Sequence, residues 1–517
     1  VRARDVLSPP DPDGSRGETA TQDAYPERMI RESRKGSIEV TDAGAIRKIH
    51  LVAIGGTGMG SLACLFREAG YVVTGSDHAL YPPMSDILAA AGIDVREGFD
   101  PSHIDADVDL VVIGNAVSRT NAEAVAATER GLRLESFPSA LEALFLATRH
   151  PVVVAGTHGK TTTTSITSWL LEACGQAPGF LIGGSPANFT SGARLGSGAP
   201  FVIEGDEYDT AYFDKGPKFL HYRPRTAIIG NVEFDHADIY ADLESVVRAF
   251  ESFTRLVPED GRLLLHDVDP HTPRLTAAAR ARVETVGRGE RADWRIVDEG
   301  RAAAGTSFRV LTPSDRGRRL LGPFTLALAG AHNVTNATFA IAACHSFAVT
   351  ERQLVDGIAG FRGVKRRLEV VGEARGVTVI DDFAHHPTAV LATLGALRSR
   401  YPGARLWMVF EPRSATSRRA VFQEDFARSF AAADRVVLAP LWEPHKVPDG
   451  QRLDVERMVR DVNALGTAAT APGGVDEIVA EIAREAAPGD VVTILSSGSF
   501  GGIHRKLLGA LAASPRG

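Results

Sequence analysis

Between residues 152 and 164 the chain reads VVVAGTHGKTTTT, an apolar run broken by Gly156, Thr157, His158, Gly159, Lys160, Thr161 and Thr162. Glycines let a backbone approach phosphate oxygens, a lysine neutralises their charge, and a threonine hydroxyl can ligate Mg2+. The spacing therefore predicts a cradle for a nucleoside triphosphate. Val154 stands where the usual pattern has its first glycine, which shortens the cradle without removing it. The bland alternative is a glycine turn with a solvated lysine, and the apolar strand before and helical pattern after it count against that.

Acidic groups gather after two further apolar runs. FVIEGDEYDTAYFD carries Glu204, Asp206, Glu207 and Asp209, and TAIIGNVEFDHADIY carries Asn231, Glu233, Asp235 and His236. Hard oxygen ligands at strand ends beside a phosphate loop suit Mg2+. Taken alone, each acid reads more simply as a solvated loop residue or helix cap, and His236 equally as a hydrogen-bonded loop histidine. A second glycine turn, Gly56, Thr57, Gly58 and Met59, follows KIHLVAI, with Ser61 at the third glycine position of a dinucleotide fingerprint. Its backbone N–H groups at a helix start would hold a pyrophosphate, and Asp77 follows at the end of the next strand. A tight turn that needs glycine only for steric reasons is the alternative. The turn does not say whether the pyrophosphate is that of NAD or of a sugar nucleotide.

The elements needed to position these groups alternate strand and helix. KIHLVAI, YVVTGSD and VDLVVIGNAVS, the last ending at Asn115 to Ser118, form one unit, and the phosphate loop opens a second. VTVIDD, RLWMVF, DRVVLAP and DVVTIL form a third. Its strand ends carry Asp381, Asp382, His385 and His386, then Glu411, Arg413, Ser414 and Thr416, then Ser496 to Gly502. This order predicts an α/β protein with parallel sheets and ligands at the carboxyl ends of the strands. The expected divisions are a mobile tail over 1–47, then units over 48–150, 151–361 and 362–517.

Composition narrows the classes. With 57 basic against 64 acidic residues the net charge is -7, so nothing global attracts nucleic acid or an anionic membrane. No apolar run reaches the roughly 18 residues that span a bilayer. Three scattered cysteines, Cys64, Cys174 and Cys344, argue against a disulfide framework or zinc site and for the cytoplasm. The first 45 or so residues lack the apolar core of a secretory signal.

Taken together, GTHGKTTT, EGDEYD, NVEFDHADIY, GAHNVTN, GVKRRLE and DDFAHHPT resemble the Mur ligases over about residues 48–510. The resemblance implies a Rossmann-like N-terminal domain for a UDP-sugar, a central P-loop ATPase domain, and a C-terminal Rossmann-like domain that binds the incoming amine and closes over ATP. Within the family, YPPMS, DEYDTAYFDKGPKF, HYRPRT, FEPRSATS and SSGSFGGIH are most similar to members that attach L-Ala-γ-D-Glu-meso-diaminopimelate to UDP-N-acetylmuramate in peptidoglycan recycling. Members that attach L-alanine are the alternative, and a monomer is expected.

By the same resemblance, Gly56 to Gly60 hold the pyrophosphate, Asp77 lies near the nucleoside, and Asn115 and Ser118 belong to the UDP-sugar side. Lys160 and Thr161 hold ATP phosphate and Mg2+, Glu204 and His236 face the metal, and Asn333 contacts adenine. Arg366, Asp382 and His386 fall in motifs that close over ATP and substrate, and Arg413 and Ser414 in the stretch that meets the peptide. Many relatives carry a carbamylated lysine on the helix after the histidine, but no lysine occurs between Lys218 and Lys365. Glu251 stands at the corresponding place and is expected, with an ordered water as its rival, to supply similar oxygen ligands. A nicotinamide-dependent oxidoreductase and an ATP-binding regulator without turnover are the rival classes; Lys160, Thr161, Glu204 and His236 together argue against the regulator.

Overall fold

A computed structural model of the chain describes residues 43–513. Most of the expected tail lies outside the described residues. Its end, Ala43–Ala45, forms a short 3-10 turn, and Ile46 is buried.

The first sheet holds β1 (Lys48–Val52), β2 (Val72–Asp77), β3 (Asp94–Glu97), β4 (Leu110–Ile113) and β5 (Arg133–Ser136), in the order β3-β2-β1-β4-β5. All pairings are parallel. Helices α1 (Thr57–Glu68), α2 (Met84–Ala90), α3 (Ala122–Glu129) and α4 (Phe137–Leu141) connect or follow them. The order reverses at β1, so the crevice where a ligand enters lies beside the glycine turn between β1 and α1.

A buried carboxylate ties this domain together. Glu123 of α3 has no exposure, and it accepts hydrogen bonds from Ser76 Oγ at 2.5 Å and the Asp100 N–H at 3.2 Å, with His103 Nδ1 at 2.8 Å. Burial alone would raise its carboxyl; the hydrogen bonds of His50 and Ser76 and the charge of His50 bring it below its ordinary value. A depressed carboxylate contributes stability above the unfolded-chain value and loses it as the pH falls. Glu123→Leu is therefore expected to cost the first domain about 3–5 kcal/mol at neutral pH, through the partners it strands. Calorimetry should show an earlier first transition, with the gap from the unchanged protein narrowing under acid.

The central sheet has ten strands in the order β15-β14-β13-β12-β11-β10-β6-β9-β7-β8. They are β6 (His150–Ala155), β7 (Gly179–Leu181), β8 (Ala193–Arg194), β9 (Pro200–Gly205), β10 (Thr226–Ile229), β11 (Arg262–His266), β12 (Arg282–Gly287), β13 (Trp294–Ala302), β14 (Gly305–Ser314) and β15 (Gly317–Leu326). The antiparallel ribbon β13-β14-β15 extends a parallel core. The helices are α5 (Lys160–Ala173), α6 (Leu243–Thr254), α7 (Thr272–Ala278), α8 (Ala331–Cys344) and α9 (Glu351–Ala359). Helix α5 carries four consecutive threonines, poor helix formers, but it is buried between the sheet and α8. Thr167 Oγ1 and Ser165 Oγ return hydrogen bonds to the carbonyls of Thr163 and Thr161, so these hydroxyls are satisfied without water.

The third sheet, β16-β17-β21-β18-β19-β20, is parallel except for β16. It comprises β16 (Glu369–Ala374), β17 (Val377–Asp382), β18 (Leu406–Phe410), β19 (Arg435–Leu438), β20 (Ala468–Thr470) and β21 (Val491–Leu495). Helices α10 (Pro387–Arg400), α11 (Gln423–Ser429), α12 (Val455–Ala464), α13 (Val475–Glu485) and α14 (Ile503–Ala513) cover it. The tether into this domain is pinned to the 185–188 loop of the central one. Asn188 bonds the Gly360 carbonyl and the Arg362 N–H at 2.8 and 2.7 Å, and Lys365 N donates to Ser185 O at 3.0 Å. None of the described helices is long and apolar enough to cross a membrane.

Candidate active site

Strand order brings the charged loops together. β6 lies between β9 and β10, so the phosphate loop, the acids after β9 and the 231–236 loop leave adjacent strand ends on one edge. Gly156 and Gly159 have positive φ angles of 123° and 79°; a Cβ would stand 3.0 Å from Gly230 N at the first and 2.8 Å from Asn336 Oδ1 at the second. The loop can close this tightly only with glycine at both places. A cavity of about 1030 Å³ opens above it, with walls from all three domains.

Lys160 Nζ donates to Gly156 O and Glu207 Oε2, each at 2.8 Å. Burial would lower its pKa, yet Glu207 and Asp206 raise it, so Lys160 stays charged. Thr161 Oγ1 donates to Glu204 Oε2 at 3.0 Å, while Gly183 N donates to Glu204 Oε1 at 2.6 Å. Burial and the neighbouring Asp206 push the Glu204 carboxyl up. Glu207 Oε1 also lies 3.4 Å from His236 Nε2, and that partner raises the imidazole against the lowering effect of burial.

Several expected residues reach the cavity: Thr57 and Gly58 from the first turn, residues 157–162 from the loop, and Glu204 and His236. Asn333, Asp382 and Ser414 also line it. Others do not. Asp77 lies outside the cavity wall and accepts from Gly55 N at 2.7 Å and His78 N at 2.8 Å, so it fastens the glycine turn. Gly56 caps α1, Met59 is buried beneath the turn, and Asn115 and Ser118 are exposed beyond β4, outside the cavity wall.

Arg366 turns away as well, donating to the carbonyls of Ser496 and Gly498 at 2.6 and 2.8 Å. Its neighbour Arg367 points inward instead: Nη2 donates to Thr161 Oγ1 at 3.3 Å and the guanidinium lies 4.5 Å from the Phe383 ring centroid. Positive φ at Arg366 and Leu368 sets this alternation, and nothing in the KRR triplet announces it. Asp382 accepts from Leu368 N at 2.8 Å and Ala384 N at 2.9 Å, so it shapes the loop that presents Arg367. Arg413 stacks on Trp442, 3.9 Å from the centroid, and leaves the cavity wall to Ser414.

The expectation for Glu251 fails. Arg274 of α7 holds its carboxylate at 2.5 Å, because Val246, Val247, Phe250 and Phe253 turn α6 inward and leave Glu251 on the side facing α7. The carboxylate beside His236 is Glu207.

The C-terminal domain docks on the 233–237 loop. Thr416 Oγ1 donates to Asp235 Oδ1 at 2.5 Å and Thr388 Oγ1 to Glu233 Oε2 at 2.6 Å. His386 caps α10 through Thr388 N and lies under Phe234 O, outside the main cavity wall. Burial and the neighbouring His158 push its imidazole down to about 4. Asn333 is buried at the start of α8, its Nδ2 spent on Ala329 O at 2.8 Å.

Comparison with known proteins gives the same three-part picture. Residues 48–149 match the Mur ligase family catalytic domain, 154–344 the Mur ligase middle domain, and 366–498 the Mur ligase glutamate ligase domain. The chain is 42% identical to the UDP-N-acetylmuramate–L-alanyl-γ-D-glutamyl-meso-2,6-diaminoheptandioate ligase of Escherichia coli, over 90% of this chain and 98% of that one. It is 40% identical to the UDP-N-acetylmuramate–L-alanine ligase of Kineococcus radiotolerans, over 79% of this chain and 85% of that one. The crystal structure of a murein peptide ligase from Psychrobacter arcticus superposes with a TM-score of 0.68 at 35% identity, covering 91% of this chain and all of that one. Three domains on one cavity, each matched by its own part of the family, make this chain a member of the Mur ligase family.

Proposed function

We propose that this chain joins UDP-N-acetylmuramate to L-Ala-γ-D-Glu-meso-diaminopimelate by an amide bond, cleaving ATP to ADP and phosphate, in peptidoglycan recycling. The observation that carries the choice of acceptor is the 42% identity over 90% of the chain to the E. coli ligase named for that tripeptide. The lactyl carboxylate attacks the γ-phosphorus and ADP leaves, giving an acyl phosphate. The peptide amine then adds to the acyl carbon, loses a proton and expels phosphate.

The first step brings two anions together, and the residues around the phosphate loop answer that repulsion. Lys160 Nζ donates to Gly156 O and Glu207 Oε2 at 2.8 Å and more weakly to Glu207 Oε1 at 3.2 Å, and a phosphate oxygen would take over that longest contact. Arg367 adds a second buried cation beside Thr161. Thr161 and Glu204 fit Mg2+: a desolvated carboxyl pushed up beside Asp206 is a place that a divalent cation relieves. When bound, Mg2+ would screen the phosphoryl oxygens. Thr57, Gly58 and Asn333 line the cavity, and in this reading the first two meet the UDP-sugar and the third the adenine. Ser414 and Ser497 line the cavity from the third domain, and in this reading they meet the acceptor. Closure of that domain keeps water from the acyl phosphate. Three free cysteines agree with a cytoplasmic setting.

Phosphate release with UDP-N-acetylmuramate, ATP and Mg2+ tests this reading. Release is expected with the tripeptide and not with L-alanine, with product masses confirming the amide. Release with L-alanine alone would overturn the acceptor and leave the ligase chemistry standing.

A further inference from the structure

His158 of the phosphate loop, Glu233 of the 231–236 loop and His386 of the C-terminal domain converge at the domain boundary. One ligand atom from each lies within 4.8 Å of the others. Glu233 Oε2 is 3.6 Å from both His158 Nε2 and His386 Nδ1. Four ligands about a tetrahedral zinc at about 2.0–2.1 Å stand roughly 3.3 Å apart, so small side-chain shifts would complete the geometry.

Three further observations point to a ligand. His158 Nε2 is a buried ring nitrogen without a hydrogen-bond partner. His386 Nε2 lies 3.3 Å from the Phe234 carbonyl, which takes its proton and leaves Nδ1 an acceptor; its contact with Thr388 N is long at 3.3 Å, Glu233 Oε2 stands 3.6 Å away, and a cation would take over that lone pair. Asn231 Nδ2 and Thr388 Oγ1 donate to the two oxygens of Glu233 at 3.0 and 2.6 Å, the kind of outer support that orients a ligating carboxylate.

We propose that His158, Glu233 and His386 bind a late first-row divalent cation of the Zn2+ or Co2+ type, tying the phosphate loop to the C-terminal domain. Two imidazoles and one carboxylate suit such ions and not Mg2+, which prefers an all-oxygen shell. The site is separate from Glu204, Glu207 and His236. His158 and Glu233 line the cavity, so water or an anion within it supplies the fourth ligand. The inference does not depend on which amine the enzyme accepts.

The test is a Co2+ titration of the chelator-treated, full-length protein in excess Mg2+ without nucleotide, followed by visible absorption and by the thermal unfolding midpoint. One equivalent of Co2+ is expected to give ligand-field bands, to raise the midpoint, and to be displaced by Zn2+. Glu233→Gln and His386→Asn should each weaken Co2+ binding at least about tenfold. If one variant fails to fold, the other decides. No bands in the unchanged protein, bands that survive in the folded variants, or bands lost instead in His236→Asn would each overturn the proposal.

Discussion

Lys160→Ala is expected to lower ATP turnover by about 10²–10³-fold while binding UDP-N-acetylmuramate nearly as tightly as the unchanged chain. The lysine belongs to the phosphate loop of the central domain, whereas the proposed UDP-sugar contacts, Thr57 and Gly58, line the cavity from the first. The substitution also leaves Glu207 buried with His236 as its remaining cationic partner, so a loss of stability should accompany it. Phosphate release and calorimetric titration of the UDP-sugar, run on protein shown to be folded, separate the effects. Loss of sugar binding along with turnover would mean that the two ligands do not occupy separate domains.

Arg367→Met should be nearly as damaging, about 10²-fold in kcat, with a smaller change in KM for ATP. This guanidinium is carried by the third domain yet donates to Thr161 of the phosphate loop, so it joins the site only when the domains are together. Arg367→Lys should not restore the rate, because an ammonium cannot both lie flat on Phe383 and reach Thr161. Arg366→Met serves as the contrast: its partners are the carbonyls of Ser496 and Gly498, and its effect should fall on stability first. Full kcat in Arg367→Met would remove the residue from the reaction.

The legible parts of this protein are those in which short-range pattern decides geometry. Gly156, Gly159, Lys160 and Thr161 follow an apolar strand and open a helix, and the structure puts them where that pattern says. The buried strand β18 reads as an unbroken apolar run, and β1, β6 and β10 as mostly apolar runs interrupted only by Lys48 and His50, His150, and Thr226. Short or polar edge strands such as β3, β16 and β20 carry no such run, and the β13-β14-β15 ribbon alternates its burial with long charged side chains. Side-chain direction was the harder matter. Arg366 and Arg367 are adjacent and chemically alike, and the positive φ angles at Arg366 and Leu368 decide which one reaches Thr161 of the phosphate loop. Glu251 sits one step off the apolar face of α6 and meets Arg274, a partner 23 residues away that the helix pattern alone does not reveal. Glu207 stood within a cluster of acids; its selection needed the distances to Lys160 and His236.

The pinned tether between α9 and β16 is the point about which a rotation of the third domain would turn. Its anchor, the 185–188 loop, continues from Gly184, whose ideal Cβ would stand 2.8 Å from Thr161 Cγ2 and 3.4 Å from Val364. The fulcrum therefore lies against the phosphate loop itself. In a rigid rotation every group travels in proportion to its radius from the axis, so Arg367, two residues past the pinned Lys365, moves along a short arc, and Ser414, carried farther out on the β18 loop, along a long one. Such a rotation would widen the cavity at Ser414 while leaving Arg367 close to Thr161: a long lever at one wall and a short one at the other.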